Sequence, residues 1–151
     1  MRIFILRHGE AEHNTRPDSN RQLTPRGIME TEAILDRQLE HLKSVKDIWA
    51  SPYVRAQETA SLVQKRLPHL QIQTTDLLVP ESNPIRLANA LEAANEESVI
   101  LVSHQPLVGV FLDWIAGLEP GCQRLGTSAL VMLETDVVAG DCAELRWVVQ
   151  P

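Results

Sequence analysis

Residues 1–10 read Met-Arg-Ile-Phe-Ile-Leu-Arg-His-Gly-Glu, a short apolar run that stops at a charged pair and a glycine. The apolar part, Ile3 to Leu6, is continuous rather than alternating, which is typical of a strand buried on both faces of a sheet. The Arg-His-Gly that follows would stand at the carboxyl end of that strand. In open α/β sheets this is where functional sites form, so the stretch predicts an α/β fold with a polar site at its first strand end.

The rest of the chain alternates short apolar runs with amphipathic segments. The further predicted strands are 47–51, 72–78, 98–102, 128–133 and 145–149. The predicted helices are one that begins at Thr24-Pro25 and carries its apolar stripe to Leu42, and then 55–67, 86–94 and 106–116. Strands that alternate with helices predict a three-layer αβα sandwich around a mostly parallel central sheet.

Length and charge limit the possible functions. The 151 residues predict a single domain, 1–151, without a large lid insertion. A net charge of −6 argues against nucleic acid as a partner. We expect no membrane segment and no signal peptide, because every apolar run is too short. The two cysteines have no metal-binding spacing, so we expect a reducing, cytoplasmic location.

Two arginines and two histidines follow three of the predicted strands: Arg7, His8, Arg55 and His104. Because the carboxyl ends of parallel strands share one edge of a sheet, we expect these side chains to meet. If all four are charged they repel one another unless an anion lies between them. Phosphate fits this demand, since arginine donates bidentate hydrogen bonds to its oxygens and helix N-termini add backbone N–H groups. The alternative for Arg55 is a solvated helix residue paired with Glu58.

Four segments together resemble the histidine phosphatase superfamily, the phosphoglycerate mutase-like fold. They are Arg7–Glu10, Leu23–Gly27, Ser51–Ala60 and Val102–Pro106, and they occur in the order of the family's motifs. Within the superfamily, the short chain and three further features are most similar to the SixA phosphohistidine phosphatases. These features are Arg21 ahead of Leu23-Thr24, the segment 103–109 and the segment 127–129.

The resemblance implies a metal-independent and cofactor-independent phosphatase with a covalent phosphohistidine intermediate on His8. Its substrate would be a phosphorylated histidine phosphotransfer domain or histidine kinase of a phosphorelay, a role in signal transduction. His8 would be the nucleophile, with Arg7, Arg55 and His104 around the phosphoryl oxygens. Gly9 would leave room for the phosphoryl group. The further candidates for phosphate or substrate contact are Gly9, Asn14, Arg21 and Thr127.

The proton donor is open. Relatives that cleave phosphate esters place an acid in the loop after the third strand, where this chain has Glu81. Glu81 as general acid would favour a small-molecule or sugar-phosphate phosphomonoesterase of the same fold. A phosphohistidine substrate needs little acid catalysis, because its imidazole leaves as a neutral ring once its far nitrogen is protonated. A third hypothesis, phosphate binding without turnover, is disfavoured because no residue of the core set is missing.

Overall fold

A six-stranded sheet forms the centre of the protein, whose computed structural model describes residues 1–13 and 17–151. The strands are β1 (Arg2–Arg7), β2 (Asp47–Ala50), β3 (Ile72–Thr74), β4 (Ser98–Ser103), β5 (Leu130–Glu134) and β6 (Glu144–Val149). Their order across the sheet is β3–β2–β4–β1–β5–β6. The pairings among β3, β2, β4 and β1 are parallel, whereas β5 is antiparallel to both β1 and β6. Only β5 runs against the other strands of this sheet, which confirms the mostly parallel sheet expected from the sequence.

Helices cover both faces of the sheet. They are α1 (Pro25–Arg37), α2 (Leu39–Leu42), α3 (Val54–Arg66), α4 (Pro84–Ala94) and α5 (Leu107–Ile115). Successive side chains of a strand point to opposite faces. Ile3 and Ile5 of β1 therefore pack in one apolar cluster with α4 and α5. Phe4 and Leu6 pack in the other cluster with α1, α2 and α3. The predicted three-layer αβα arrangement is confirmed.

Two of the predicted segments end earlier than expected. The helix that begins at Pro25 is interrupted at Gln38, whose φ of −106° and ψ of 13° leave the helical region, so its apolar stripe is divided between α1 and α2. The strand predicted to reach Leu78 stops at Thr74. Here the Thr75 hydroxyl accepts a hydrogen bond from the Leu77 N–H at 3.2 Å and caps a 3-10 turn, Asp76–Leu78.

Two other boundaries are displaced by local capping and turn geometry. Helix α4 begins at Pro84 rather than near Arg86, because the Asn83 side chain caps it by accepting from the Ile85 N–H at 2.8 Å. Strand β5 begins at Leu130 rather than Ser128, which has a φ of +63° that no strand residue adopts. A second 3-10 turn, Asp18–Asn20, precedes α1. No helix in the described ranges is long and apolar enough to cross a membrane.

The sheet register brings three strand ends to one edge. Arg7 at the end of β1 is opposite Ser103 at the end of β4, and Ala50 at the end of β2 is opposite Val102. The chain leaves the sheet at these points, so the residues that follow each strand cluster above the same edge.

Candidate active site

His8 belongs to this cluster and is 6% exposed. Its Nδ1 lies 2.7 Å from the Gly9 carbonyl oxygen, and its Nε2 lies 3.2 Å from Nε of Arg55. A carbonyl oxygen only accepts and a guanidinium only donates. We therefore assign the proton to Nδ1 and the lone pair to Nε2, which makes His8 a neutral imidazole with a defined tautomer.

Arg55 stands in the first turn of α3 and is 4% exposed. Besides its contact with His8, it donates through Nη1 to the Asp18 carbonyl oxygen at 2.6 Å and through Nη2 to Asp18 Oδ2 at 3.3 Å. Its guanidinium also lies 5.2 Å from the centre of the Tyr53 ring. The alternative pairing with Glu58 is wrong, because the Glu58 carboxylate accepts from the backbone N–H of Leu23 at 2.9 Å.

His104 follows β4 and is 1% exposed. Its ring centre lies 5.1 Å from that of His8, and its Nε2 is 2.7 Å from the Ser51 hydroxyl. The same hydroxyl oxygen accepts from the Tyr53 N–H at 3.2 Å, so its hydrogen is free to be donated to His104. We therefore assign the proton of His104 to Nδ1, which is buried without a hydrogen-bond partner among the described residues.

Arg7 completes the group of four. Its Nη1 donates to the Leu125 carbonyl oxygen at 2.8 Å. Its Nε is buried and, within the described part of the chain, has no hydrogen-bond partner. Arg7 and His104 thus each hold a polar N–H that has no hydrogen-bond acceptor within residues 1–13 and 17–151. Buried polar groups are nearly always satisfied, so these two orphans mark a place where an acceptor such as an oxyanion fits.

The electrostatics of the site follow from burial and from the arginines. Burial, aided by Arg55 and Arg7, lowers the pKa of His8 to about 3, although the bond to the Gly9 carbonyl opposes the shift. Burial and then the neighbouring His8 lower the pKa of His104 in the same direction. The arginines disfavour the protonated form of His8, but burial is the larger cause. Both rings are neutral at neutral pH, and the positive charge of the site comes from the arginines.

Sequence reasoning missed Asp18, which joins two of the site arginines. Its Oδ1 accepts from Nε of Arg21 at 3.0 Å, while Oδ2 accepts from Arg55. Burial alone would raise the pKa of the Asp18 carboxyl, but Arg55 and Arg21 lower it below its ordinary value. Asp18 lies in a polar loop with no periodicity or motif of its own, so no local signal distinguishes it. Arg21 is held in place by the same loop, since it also donates to the Glu12 carbonyl oxygen at 3.0 Å.

The structure gives a reason for glycine at position 9 that differs from the expected room for a phosphoryl group. A Cβ built on it would lie 2.7 Å from Thr31 Oγ1 and 2.8 Å from the Gly27 carbonyl oxygen, both of α1. Its N–H donates to the Thr59 hydroxyl at 3.1 Å. Glycine is therefore required here for close packing against α1 rather than to leave space for a phosphoryl group.

The remaining candidates are less closely tied to the site. Thr127 is half-buried in the turn before β5, next to Ser128, whose N–H lies 3.1 Å from the His8 carbonyl oxygen. Glu81 is exposed between the 3-10 turn Asp76–Leu78 and α4, and it makes no hydrogen bond or ion pair with described residues. Asn14 lies outside the described residues. No group of three or more His, Cys, Asp or Glu side chains within residues 1–13 and 17–151 could hold a metal ion.

The arrangement can do two things chemically. The guanidinium groups of Arg7 and Arg55, together with the Nδ1–H of His104, can bind the oxygens of a phosphoryl group. The neutral Nε2 of His8, beside them, can offer its lone pair to phosphorus. Fold and site together define an α/β phosphatase.

Comparison with known proteins gives the family. A model of the histidine phosphatase superfamily (branch 1) matches residues 3–79. A phosphohistidine phosphatase SixA homolog of Haemophilus influenzae is 37% identical and covers 78% of this chain and 78% of its own. The phosphohistidine phosphatase SixA of Escherichia coli is 32% identical and covers 80% of this chain and 76% of its own. The chain therefore belongs to the histidine phosphatase superfamily, which confirms the resemblance found in its motifs.

A solved structure has the same fold over the whole chain. The protein histidine phosphatase SixA complexed with tungstate superposes with a TM-score of 0.87 at 26% identity, covering 100% of this chain and 97% of the other. Tungstate is a tetrahedral oxyanion of the same kind as phosphate. An anion bound by this relative agrees with the unused donors of the site described above.

Proposed function

We propose that the protein is a phosphohistidine phosphatase that removes the phosphoryl group from a histidine of a phosphorelay protein. The reaction passes through a covalent phosphohistidine on His8. The observation that carries this proposal is the pair of contacts made by His8: its Nδ1 lies 2.7 Å from the Gly9 carbonyl oxygen and its Nε2 lies 3.2 Å from Nε of Arg55. The names of the SixA relatives support the phosphohistidine substrate.

In the first step the hydrogen bond from Nε–H of Arg55 shifts from Nε2 of His8 to a phosphoryl oxygen. The freed Nε2 lone pair attacks phosphorus while the phosphorus–nitrogen bond of the substrate breaks. The bonding electrons go to the substrate imidazole, which leaves as a neutral ring because its far nitrogen already carries a proton. Arg7, Arg55 and the Nδ1–H of His104 bind the oxygens, where negative charge is spread in the transition state. These donors are fixed by the contacts of Arg7 with Leu125, of Arg55 with Asp18 and of His104 with Ser51.

In the second step water attacks the phosphorylated His8. The bond between phosphorus and Nε2 breaks, its electrons return to Nε2, and inorganic phosphate and one proton are released. The Gly9 carbonyl assists both steps because it keeps the proton on Nδ1. The ring is then cationic while it is phosphorylated, so it leaves phosphorus as a neutral imidazole, which is a good leaving group.

The test is phosphate release from a phosphorylated histidine phosphotransfer domain. His8→Ala should abolish release, and the exposed His69→Ala should act as the matched control with wild-type rates. Equal rates for wild type and His8→Ala would refute the proposal.

Glu81 separates this function from ester hydrolysis. Because Glu81 is exposed and unpaired among the described residues, Glu81→Gln should leave release from phosphohistidine unchanged. Rapid turnover of sugar phosphates that collapses in Glu81→Gln would instead favour the phosphomonoesterase alternative, since an alkoxide leaving group gains about 10²–10⁴-fold from an acid.

A further inference from the structure

We propose that Asp18 is a specificity-determining residue: its carboxylate accepts a hydrogen bond from the protonated leaving group and so favours phosphorus–nitrogen over phosphorus–oxygen substrates. This inference rests on the proposed function and deepens it, because it names the residue that distinguishes a phosphohistidine from a phosphate ester.

The position of Asp18 is set by the arginines. The Asp18 carboxylate lies 3.3 Å from Nη2 of Arg55, and Nε of the same guanidinium lies 3.2 Å from Nε2 of His8. One planar guanidinium group therefore separates the carboxylate from the attacking nitrogen. The second carboxylate oxygen is bound by Arg21 at 3.0 Å.

Asp18 lies at the solvent-exposed part of the site. His8 is buried, with 6% of the residue exposed, whereas the Asp18 side chain is 61% exposed. In-line displacement places the leaving group opposite the nucleophile. A histidine carried by another protein must enter and leave from solvent, and Asp18 is the exposed carboxylate bound to the Arg55 guanidinium beside His8.

Asp18 differs from the nearby Glu10 and Glu58 in what it contacts, because its carboxylate is bound to the Arg55 guanidinium that lies beside His8. The Glu10 carboxylate accepts from the Thr24 hydroxyl at 2.8 Å, and the Glu58 carboxylate accepts from the Leu23 N–H. Asp18 keeps acceptor capacity, because a carboxylate oxygen accepts two hydrogen bonds and its Oδ2 has one described contact, with Arg55.

The leaving groups of the two substrate classes differ in the charge that they present to Asp18. A phosphohistidine reacts when its far nitrogen is protonated, and that N–H is a cationic donor that a carboxylate binds strongly. When Nε2 of His8 bonds to phosphorus, the broken phosphorus–nitrogen bond leaves its electrons on an imidazole that already holds this proton. An ester instead leaves as an oxyanion, and a carboxylate beside a developing negative charge raises the barrier. One carboxylate can therefore promote the first reaction and oppose the second.

The experiment compares kcat/KM for two substrates in the same variants: a phosphorylated histidine phosphotransfer domain and p-nitrophenyl phosphate. Asp18→Asn keeps the size of the side chain and removes its charge. We expect it to lower kcat/KM for the phosphohistidine protein by about 10-fold or more, as expected for the loss of one charge-assisted hydrogen bond. The value for p-nitrophenyl phosphate should stay unchanged or rise. Asp18→Glu should recover part of the phosphohistidine activity.

The matched control is Asp36→Asn on α1. Asp36 is 62% exposed and also pairs with an arginine, Arg66, at 2.7 Å, but far from the site edge of the sheet. It should leave both activities at wild-type values.

The outcomes separate this inference from the proposed function. If Asp18 only positions Arg55 and Arg21, both activities fall in parallel in Asp18→Asn, and that result overturns the specificity role alone. If the wild-type protein releases no phosphate from the phosphohistidine protein, the proposed function and this inference both fail.

Discussion

Lowering the pH from 7.5 to 5 should destabilise the folded protein through the buried histidines of the site. The pKa of His8 is lowered to about 3, mainly by burial, from an ordinary value of 6.5. Between those two values the unfolded chain binds a proton that the native state excludes. His8 therefore does not reduce the free energy of unfolding above pH 6.5. Below that value the free energy of unfolding declines, and it continues to decline until the pH reaches about 3. The slope is about 1.4 kcal/mol per pH unit, so His8 alone accounts for about 2 kcal/mol at pH 5.

The assay is urea unfolding at pH 7.5, 6 and 5 in buffers free of phosphate and sulfate, which would bind the native site. Wild type is compared with His8→Asn, and each protein is referred to its own stability at pH 7.5. This reference removes any constant effect of the substitution. Wild type should lose about 2 kcal/mol more than His8→Asn on going to pH 5. The exposed His69→Asn should follow wild type.

Parallel loss of stability in wild type and His8→Asn would refute this reasoning. It would mean that native His8 takes up a proton as readily as the unfolded chain does. The neutral tautomer, with its lone pair beside Arg55, would then be wrong, and the nucleophile proposed above would lose its physical basis.

Two further predictions concern packing and positioning. Gly27→Ala should lower the free energy of unfolding, measured in urea, by about 1–3 kcal/mol. The added Cβ would overlap the backbone carbonyl oxygen of Glu10 and lie 2.8 Å from the backbone nitrogen of the same residue. Gly109→Ala, also helical, meets only the flexible Gln105 side chain and should be nearly neutral, and equal losses for the two would contradict the packing argument. Ser51→Ala removes the donor to His104 and leaves a buried ring nitrogen unpaired, so we expect about 1–3 kcal/mol of lost stability and a reduced kcat with phosphohistidine. An unchanged kcat would show that the orientation of this ring is unimportant.

Most of the fold could be predicted from local patterns, and the exceptions have local causes. The uninterrupted run Ile3 to Leu6 indicated a central strand, and the structure places it as β1 between β4 and β5. The predicted strand at 72–78 was too long, because a threonine cap at Thr75 starts a 3-10 turn that apolar periodicity does not show. Turn and cap geometry depend on single hydrogen bonds, whereas periodicity averages over many residues.

The sequence by itself determined the four central groups of the site. Parallel strands end at a common edge, so residues placed just after three such strands must converge there. This is why Arg7, His8, Arg55 and His104 could be brought together without coordinates. The order of the motifs along the chain was equally sufficient to establish the family.

Only the tertiary structure decided the state and the surroundings of those groups. The neutral form of His8 follows mainly from burial, which depends on the packing of the whole domain. The contact of Asp18 with Arg55 joins residues 37 positions apart through a loop without a pattern. Glycine is required at position 9 because α1 packs closely against it, and the residues next to Gly9 in the sequence do not indicate that contact. Charge, tautomer and close approach arise between segments, and a linear pattern carries no information about the distances between segments.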